Sequence, residues 1–264
     1  MAVTAGGQAP VRHTVPRRTW VALTAFMAAA LLVEAMIVVQ MVAEPGGWRF
    51  GMDFAYYQAL GQRWLADGTF YQPHQLAGPH VAGLLDQAPL ADNLYPPLAL
   101  ALFIPSTFVP PPFWWLVPLA LCSFALWSFR PAPWAWPLIL TCLMWPKSLG
   151  SIAFGNTDMW IAAFMAAGLR WGWPALLIPI KPSMAPFAIA GANKRSWWLG
   201  LCGLTLLVLA TWPLWMDYAR AIANATIPLT YSLPGIPLIV LPLVAWFARE
   251  RAPTIKPQRE GPGP

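Results

Sequence analysis

Two residues far apart in this 264-residue chain, Asp53 and Lys181, have the types and settings that chemistry needs. Asp53 opens the segment DFAYYQALGQRWLADG, with Tyr56, Tyr57 and Arg63 close behind it. A carboxylate at such a position can serve as a general base toward a hydroxyl acceptor when its pKa and geometry suit the transfer. The same spacing also fits a carboxylate that only complements the dipole of a helix start. Lys181 lies near the centre of the apolar stretch WPALLIPIKPSMAPFAIA, between Ile180 and Pro182. The flanking prolines predict a broken helix there, with the ammonium turned into a cavity. Burying a charge at membrane depth costs about 2.5–3.5 kcal/mol on insertion scales, and a cation so placed suits a lipid phosphate. A Lys that snorkels from the end of a short helix fits the pattern too.

Glu34, deep in the first apolar run, is expected to meet a buried cation. Asp158 follows Gly155 and Asn156, and Gly-Asn-Thr-Asp has the composition of a polar helix start. Both acids can equally be structural. His74 and His80 have no acidic or His partner at metal-ligand spacing and read as solvated loop residues, so neither a metal nor another cofactor is expected. Cys122, Cys142 and Cys202 sit in apolar segments without paired spacing and read as small hydrophobes. There is no phosphate-binding glycine loop, dinucleotide fingerprint or nucleophile elbow.

The elements that must hold these residues follow from composition. Apolar residues make up 58% of the chain and charged residues 10%, against about 25% charge in soluble domains, which excludes a soluble fold. The 17 Trp and 30 Pro suit membrane interfaces and spans whose freed backbone groups find partners nearby. Basic residues are scattered between apolar runs, so the net charge of +6 argues for lipid-facing flanks and against nucleic-acid binding. Residues 19–43 predict a first spanning helix, and Arg12, Arg17 and Arg18 before it put the basic tail 1–18 in the cytoplasm. The loop 44–95 is then extracytoplasmic and holds Glu44, Asp53, Asp67, Asp86 and Asp92. Within it Phe54, Tyr57, Leu60, Gly61 and Trp64 recur at helical steps, predicting an interfacial helix that Asp67-Gly68 ends.

Further apolar runs cover roughly 97–109, 113–129, 134–146, 153–170, 173–191, 197–215 and 232–248. The fold class is therefore all-α, a polytopic transmembrane bundle of about seven to nine hydrophobic helices across 19–248, some short or re-entrant. A polar, Pro-rich tail from 249 to 264 reads as disordered. Arg130, Lys147, Arg170 and the Lys194-Arg195 pair all favour the cytoplasm, which a strict count of eight crossings cannot satisfy. The Pro-rich segments 97–112 and 173–191 are thus the expected incomplete crossings.

The loop DFAYYQALGQRWLADGTFYQPHQLAGPH, followed by NLYPPLALALFIP, resembles glycosyltransferase family 87, membrane enzymes of the type C fold that use polyprenyl-phosphate sugars. Asp53, Tyr57, Gly68 and Tyr71 match the family's loop pattern, and Tyr95-Pro96-Pro97 matches its Tyr-Pro-Pro. Gly155-Asn156-Thr157-Asp158 stands where the family has Gly-Gln-x-Asn, and Lys181-Pro182 where it has a Lys soon followed by Pro. The resemblance covers about residues 19–215 and implies a C-terminally shortened form, since the family usually carries several more spans.

What the resemblance implies is a sugar, mannose- or pentose-like, moved from a polyprenyl-phosphate donor to an extracytoplasmic glycan or glycolipid hydroxyl, with inversion, in the cell envelope. Asp53 is then the catalytic base, Lys181 the donor-phosphate contact, and Tyr57, Arg63, Tyr71, Tyr95, Asn156 and Asp158 line the substrates. Two other classes fit the residues as well: a non-catalytic or degenerate lipid-binding or assembly protein, and a small transporter using Glu34 and Lys181.

Overall fold

The computed structural model describes residues 15–44, 49–77, 92–225 and 229–249. The N-terminal tail up to residue 14, the loop residues His80 and Asp86, and the tail from residue 250 lie outside the described residues. Every element among the described residues is a helix, as the apolar patterning predicts. In chain order these are α1 (Arg17–Ala43), α2 (Met52–Asp67), α3 (Pro73–Ala77), α4 (Leu100–Ser106), α5 (Phe113–Phe129), α6 (Ala135–Met144), α7 (Pro146–Phe154) and α8 (Asp158–Trp171), then α9 (Arg195–Ala210), α10 (Trp212–Ala223) and α11 (Ile236–Phe247). Short 3-10 stretches lead into α4 and α11.

α1 is the helix expected over residues 19–43. Its 27 residues rise about 40 Å, more than a hydrocarbon core of about 30 Å, and none of them is buried by the rest of the chain. Among the described residues one helix, α1, is by length and composition able to cross a membrane; the number is up to three if the bent pairs α6–α7 (61°) and α9–α10 (82°) each count as one span. Glu34 makes no ion pair among the described residues, so its expected cation is not found.

α8 is the centre of the protein. All of it except Trp160, Arg170 and Trp171 is buried, with α5, α11 and the segment 173–191 packed around it. Its Ala162, Ala163, Ala166, Ala167 and Gly168 let neighbours approach closely, and a Cβ on Gly168 would lie 2.6 Å from that of Ala175.

The segment 173–191 is an incomplete helix that doubles back. Pro174, Pro179, Pro182 and Pro186 remove donors from the hydrogen-bond ladder, and the chain forms two 3-10 stretches, Trp173–Ile180 and Pro182–Gly191. The residue before a proline is pushed out of the helical region, and Lys181 accordingly adopts φ −111°, ψ 102°. At the open end Gly191 lies against the Gly172 carbonyl so closely that no side chain fits between them. Lys181 is therefore the tip of a hairpin running alongside α8.

This hairpin brings most of the basic residues expected together to one end of the protein. Arg170 and the Lys194-Arg195 pair lie at its open end, where Ser196 donates to the Trp171 carbonyl. α5 reaches the same end, with Phe124 stacked on Trp171, and carries Arg130 there. Arg249 joins through the Pro131–Arg249 bridge, and the start of α1 at Arg17 shares a groove with Pro133 and Trp136. Glu44, Asp53, Asp92, Asp158 and Asp217 belong to the opposite end. Lys147, at the start of α7 beyond the 61° bend, is the exposed exception among the basic residues expected together.

Candidate functional site

α2 forms where its apolar residues repeat. Phe54, Tyr57, Leu60 and Gly61 are buried, and Gly68 at φ +66° stops the helix as the Asp67-Gly68 pair predicts. That face packs on α4, where Tyr57 stacks on Phe103 at 4.7 Å and a Cβ on Gly61 would lie 2.6 Å from the Phe103 carbonyl oxygen. The packing fixes the first turn of α2 and, with it, Asp53.

Opposite Asp53 lies the tight turn between α7 and α8. The apolar run 153–170 passes straight through this turn in sequence, and α7 goes unpredicted. Gly155 closes α7 at φ +73°, and its carbonyl accepts a hydrogen bond from Trp114 Nε1 at 2.7 Å. Trp115 Nε1 donates to the Ile152 carbonyl at 2.7 Å, and the Gly51 amide donates to the Ala153 carbonyl at 3.0 Å. The turn is thus held by α5 on one side and by the start of α2 on the other. A Cβ on Gly155 would fall 2.9 Å from Phe54 Cβ and from Trp115 Cζ2. Gly155→Ala is expected to destabilise the protein by more than the roughly 1–2 kcal/mol of the left-handed backbone alone. Its thermal unfolding in detergent measures this, and an unshifted midpoint would show that the turn tolerates a side chain.

The turn, the hairpin tip and α2 join in one polar chain. Asn156 Nδ2 donates to Asp53 Oδ2 at 2.7 Å, across 103 residues of sequence. Asn156 Oδ1 accepts from Lys181 Nζ at 3.2 Å and from the Asp158 amide at 3.2 Å. Lys181 Nζ donates to Asp158 Oδ1 at 2.6 Å, and Ser151 Oγ donates to Asp158 Oδ2 at 2.9 Å. Asp158 is 0% exposed, Lys181 2% and Asn156 8%, whereas Asp53 is only half-buried. A Cβ on Gly235 would lie 2.5 Å from Asp158 Oδ2, so the start of α11 closes over the pair. Asp53 Oδ1 accepts no hydrogen bond among the described residues and is the chain's outlet.

The tyrosines form a second, buried layer. Tyr57 and Tyr95 share a hydroxyl hydrogen bond at 2.8 Å, and the Tyr95 hydroxyl reaches Thr157 Oγ1 at 3.1 Å. Tyr71 donates to the Tyr95 carbonyl at 2.9 Å. Burial pushes the Tyr71 hydroxyl pKa upward, and Tyr218 and Asp217 nearby push it the same way. This layer supports α2 and the turn from behind. Arg63 stands apart: its NH2 group donates to the Phe70 carbonyl at 2.6 Å and its Nε is buried without a hydrogen-bond partner among the described residues. Burial lowers its pKa, with Tyr56 and Asp67 opposing.

His74 is not a solvated loop residue. Its Nε2 lies 2.7 Å from Asp92 Oδ1, 18 residues away in sequence. Among the described residues no cluster of three His, Cys, Asp or Glu could hold a metal ion. Beside the site, Phe50, Leu149, Ile152 and Ala153 join Val38 and Val42 of α1 in an apolar groove of about 420 Å³. Its lining residue Ala153 accepts a hydrogen bond from the amide of Gly51, two residues before Asp53. Set against known proteins, the chain matches no family model, no curated protein and no solved structure.

Proposed function

We propose that the chain is a polytopic membrane glycosyltransferase that moves a sugar from a polyprenyl-phosphate donor to a glycan or glycolipid hydroxyl outside the cytoplasm. The observation that carries this reading is the convergence of Asp53, Asn156 and Lys181, with one oxygen of a half-buried carboxylate left open. In the reaction Asp53 Oδ1 takes the acceptor hydroxyl proton while the acceptor oxygen bonds to the anomeric carbon. The bond from that carbon to the phosphate oxygen breaks, its electron pair leaving with polyprenyl phosphate, and the centre inverts. The apolar groove lined by Phe50 and Ala153 suits the lipid chain. The test is transfer from a panel of polyprenyl-phosphate mannose and pentose donors by protein purified in detergent; Asp53→Asn tells enzyme from contaminant.

The closed Lys181–Asp158 pair favours a second reading. A phosphate contact through Lys181 requires that buried pair to open, and a pair that stays closed suits a lipid-binding or assembly protein without chemistry. Lipid binding unchanged in Asp53→Asn, together with no transfer from any donor, would support it.

The proposed topology puts the end bearing Arg17, Arg130, Arg170, Lys194 and Arg249 in the cytoplasm and Asp53 outside, following the positive-inside rule. In a cysteine-free background, Arg170→Cys and Lys194→Cys are expected to react with an impermeant thiol reagent only after permeabilisation, and Lys147→Cys in intact cells. Labelling of positions 170 and 194 from opposite sides would reject a re-entrant segment 173–191.

A further inference from the structure

Asn156 carries an ambiguity that its surroundings resolve. A side-chain amide presents a donor at one end and an acceptor at the other, and nothing in its shape decides which end faces a neighbour. Here the carbonyl end meets two donors, Lys181 Nζ and the Asp158 amide, each at 3.2 Å. A flipped amide would place its NH2 group against an ammonium and a peptide N–H, and its oxygen against the Asp53 carboxylate. Both contacts would then be repulsive in a site where Asn156 and Lys181 are almost fully buried. Lys181 cannot turn away cheaply, because Asp158 holds it at 2.6 Å and Asp158 is itself held by Ser151.

We infer that Lys181 and Asp158 are positioning residues that act through Asn156: they fix its amide so that Nδ2 grips Asp53 Oδ2 and leaves Oδ1 as the proton acceptor. The inference rests on the proposed transferase reading for its consequence and on hydrogen-bond geometry for its content. It gives Asn156 a hold on the catalytic carboxylate in place of the substrate contact implied by resemblance. It also gives the buried ion pair a role while closed, with no need for the pair to meet the donor phosphate.

Two measurements test it. The first needs no substrate: infrared spectra of protein labelled with 13C-aspartate, in which the carboxylate band missing from Asp53→Asn belongs to Asp53. That band is expected to shift in Asn156→Ala, which removes the donor, and in the double variant Lys181→Met with Asp158→Asn. The double variant leaves no lone buried charge and removes one of the two donors to Asn156 Oδ1, the Asp158 backbone amide remaining. An Asp53 band unmoved in the folded double variant overturns the inference even if the protein is a transferase. The second measurement is transfer from polyprenyl-phosphate mannose or whichever panel donor is active. Asn156→Ala is expected to lower kcat about 100-fold, the scale set by misplacing a reacting group, with KM changed less than twofold. A rise in KM at unchanged kcat would return Asn156 to substrate binding and overturn the positioning role. A shifted band in a protein that transfers no sugar would uphold the geometry and reject the transferase reading alone.

Discussion

Lys181→Met alone is expected to destabilise the protein by about 3–5 kcal/mol, while Lys181→Met combined with Asp158→Asn recovers most of that loss. The single change removes the ammonium 2.6 Å from Asp158 Oδ1 and leaves a carboxylate that is 0% exposed. Ser151 still donates to Oδ2, but one hydroxyl cannot replace a counter-charge in a buried site. The α11 backbone at Gly235 lies against the same carboxylate and blocks relief by rotation. The double change takes away both charges and keeps both shapes, and the new side-chain amide oxygen at position 158 can still accept from Ser151. Unfolding midpoints in detergent for the two single variants and the double give the coupling. Additive effects would mean that the pair contributes nothing to holding the hairpin tip against α8.

The members of this pair are visible in the sequence, and their partnership is not. Lys181 stands out because a charge between Ile180 and Pro182 is expensive, and Asp158 because it follows Gly155 and Asn156. Their meeting depends on the hairpin, whose tip runs back along α8 to its first turn. Chain periodicity reports which residues share a helix face, but it carries no signal for a segment that folds back on itself. Glu34 looks the better carboxylate for a buried cation on depth alone, yet it sits on α1, none of whose residues is fully buried.

α2 shows the favourable case. Its stripe and its Gly68 stop are local properties, and the structure has both. α7 shows the unfavourable one, since Lys147, Ser148, Gly150 and Ser151 break an apolar pattern that a nine-residue helix is too short to restate. The His74–Asp92 contact is likewise out of reach, because 18 residues separate the pair and no helical or strand spacing joins them.

Asp53→Asn separates the two roles that the position of Asp53 allows, because their magnitudes differ by several kcal/mol. The dipole of α2 gains about 0.3–1 kcal/mol from a carboxylate in its first turn, and an amide there forfeits that much. The amide oxygen can still accept from Asn156 Nδ2, so the 2.7 Å hydrogen bond has a replacement and the fold should persist. A dipole-only carboxylate therefore predicts a small loss of stability and unchanged transfer. A general base predicts the reverse weighting. The amide has no basicity to take the acceptor proton, and transfer falls by about 10²- to 10⁴-fold, or roughly 3–5 kcal/mol in the barrier. Initial rates with a saturating polyprenyl-phosphate donor, beside the unfolding midpoint of the same preparation, measure both. A variant that keeps the wild-type rate and loses only a little stability would reduce Asp53 to a helix-start residue and remove the base from the proposed reaction.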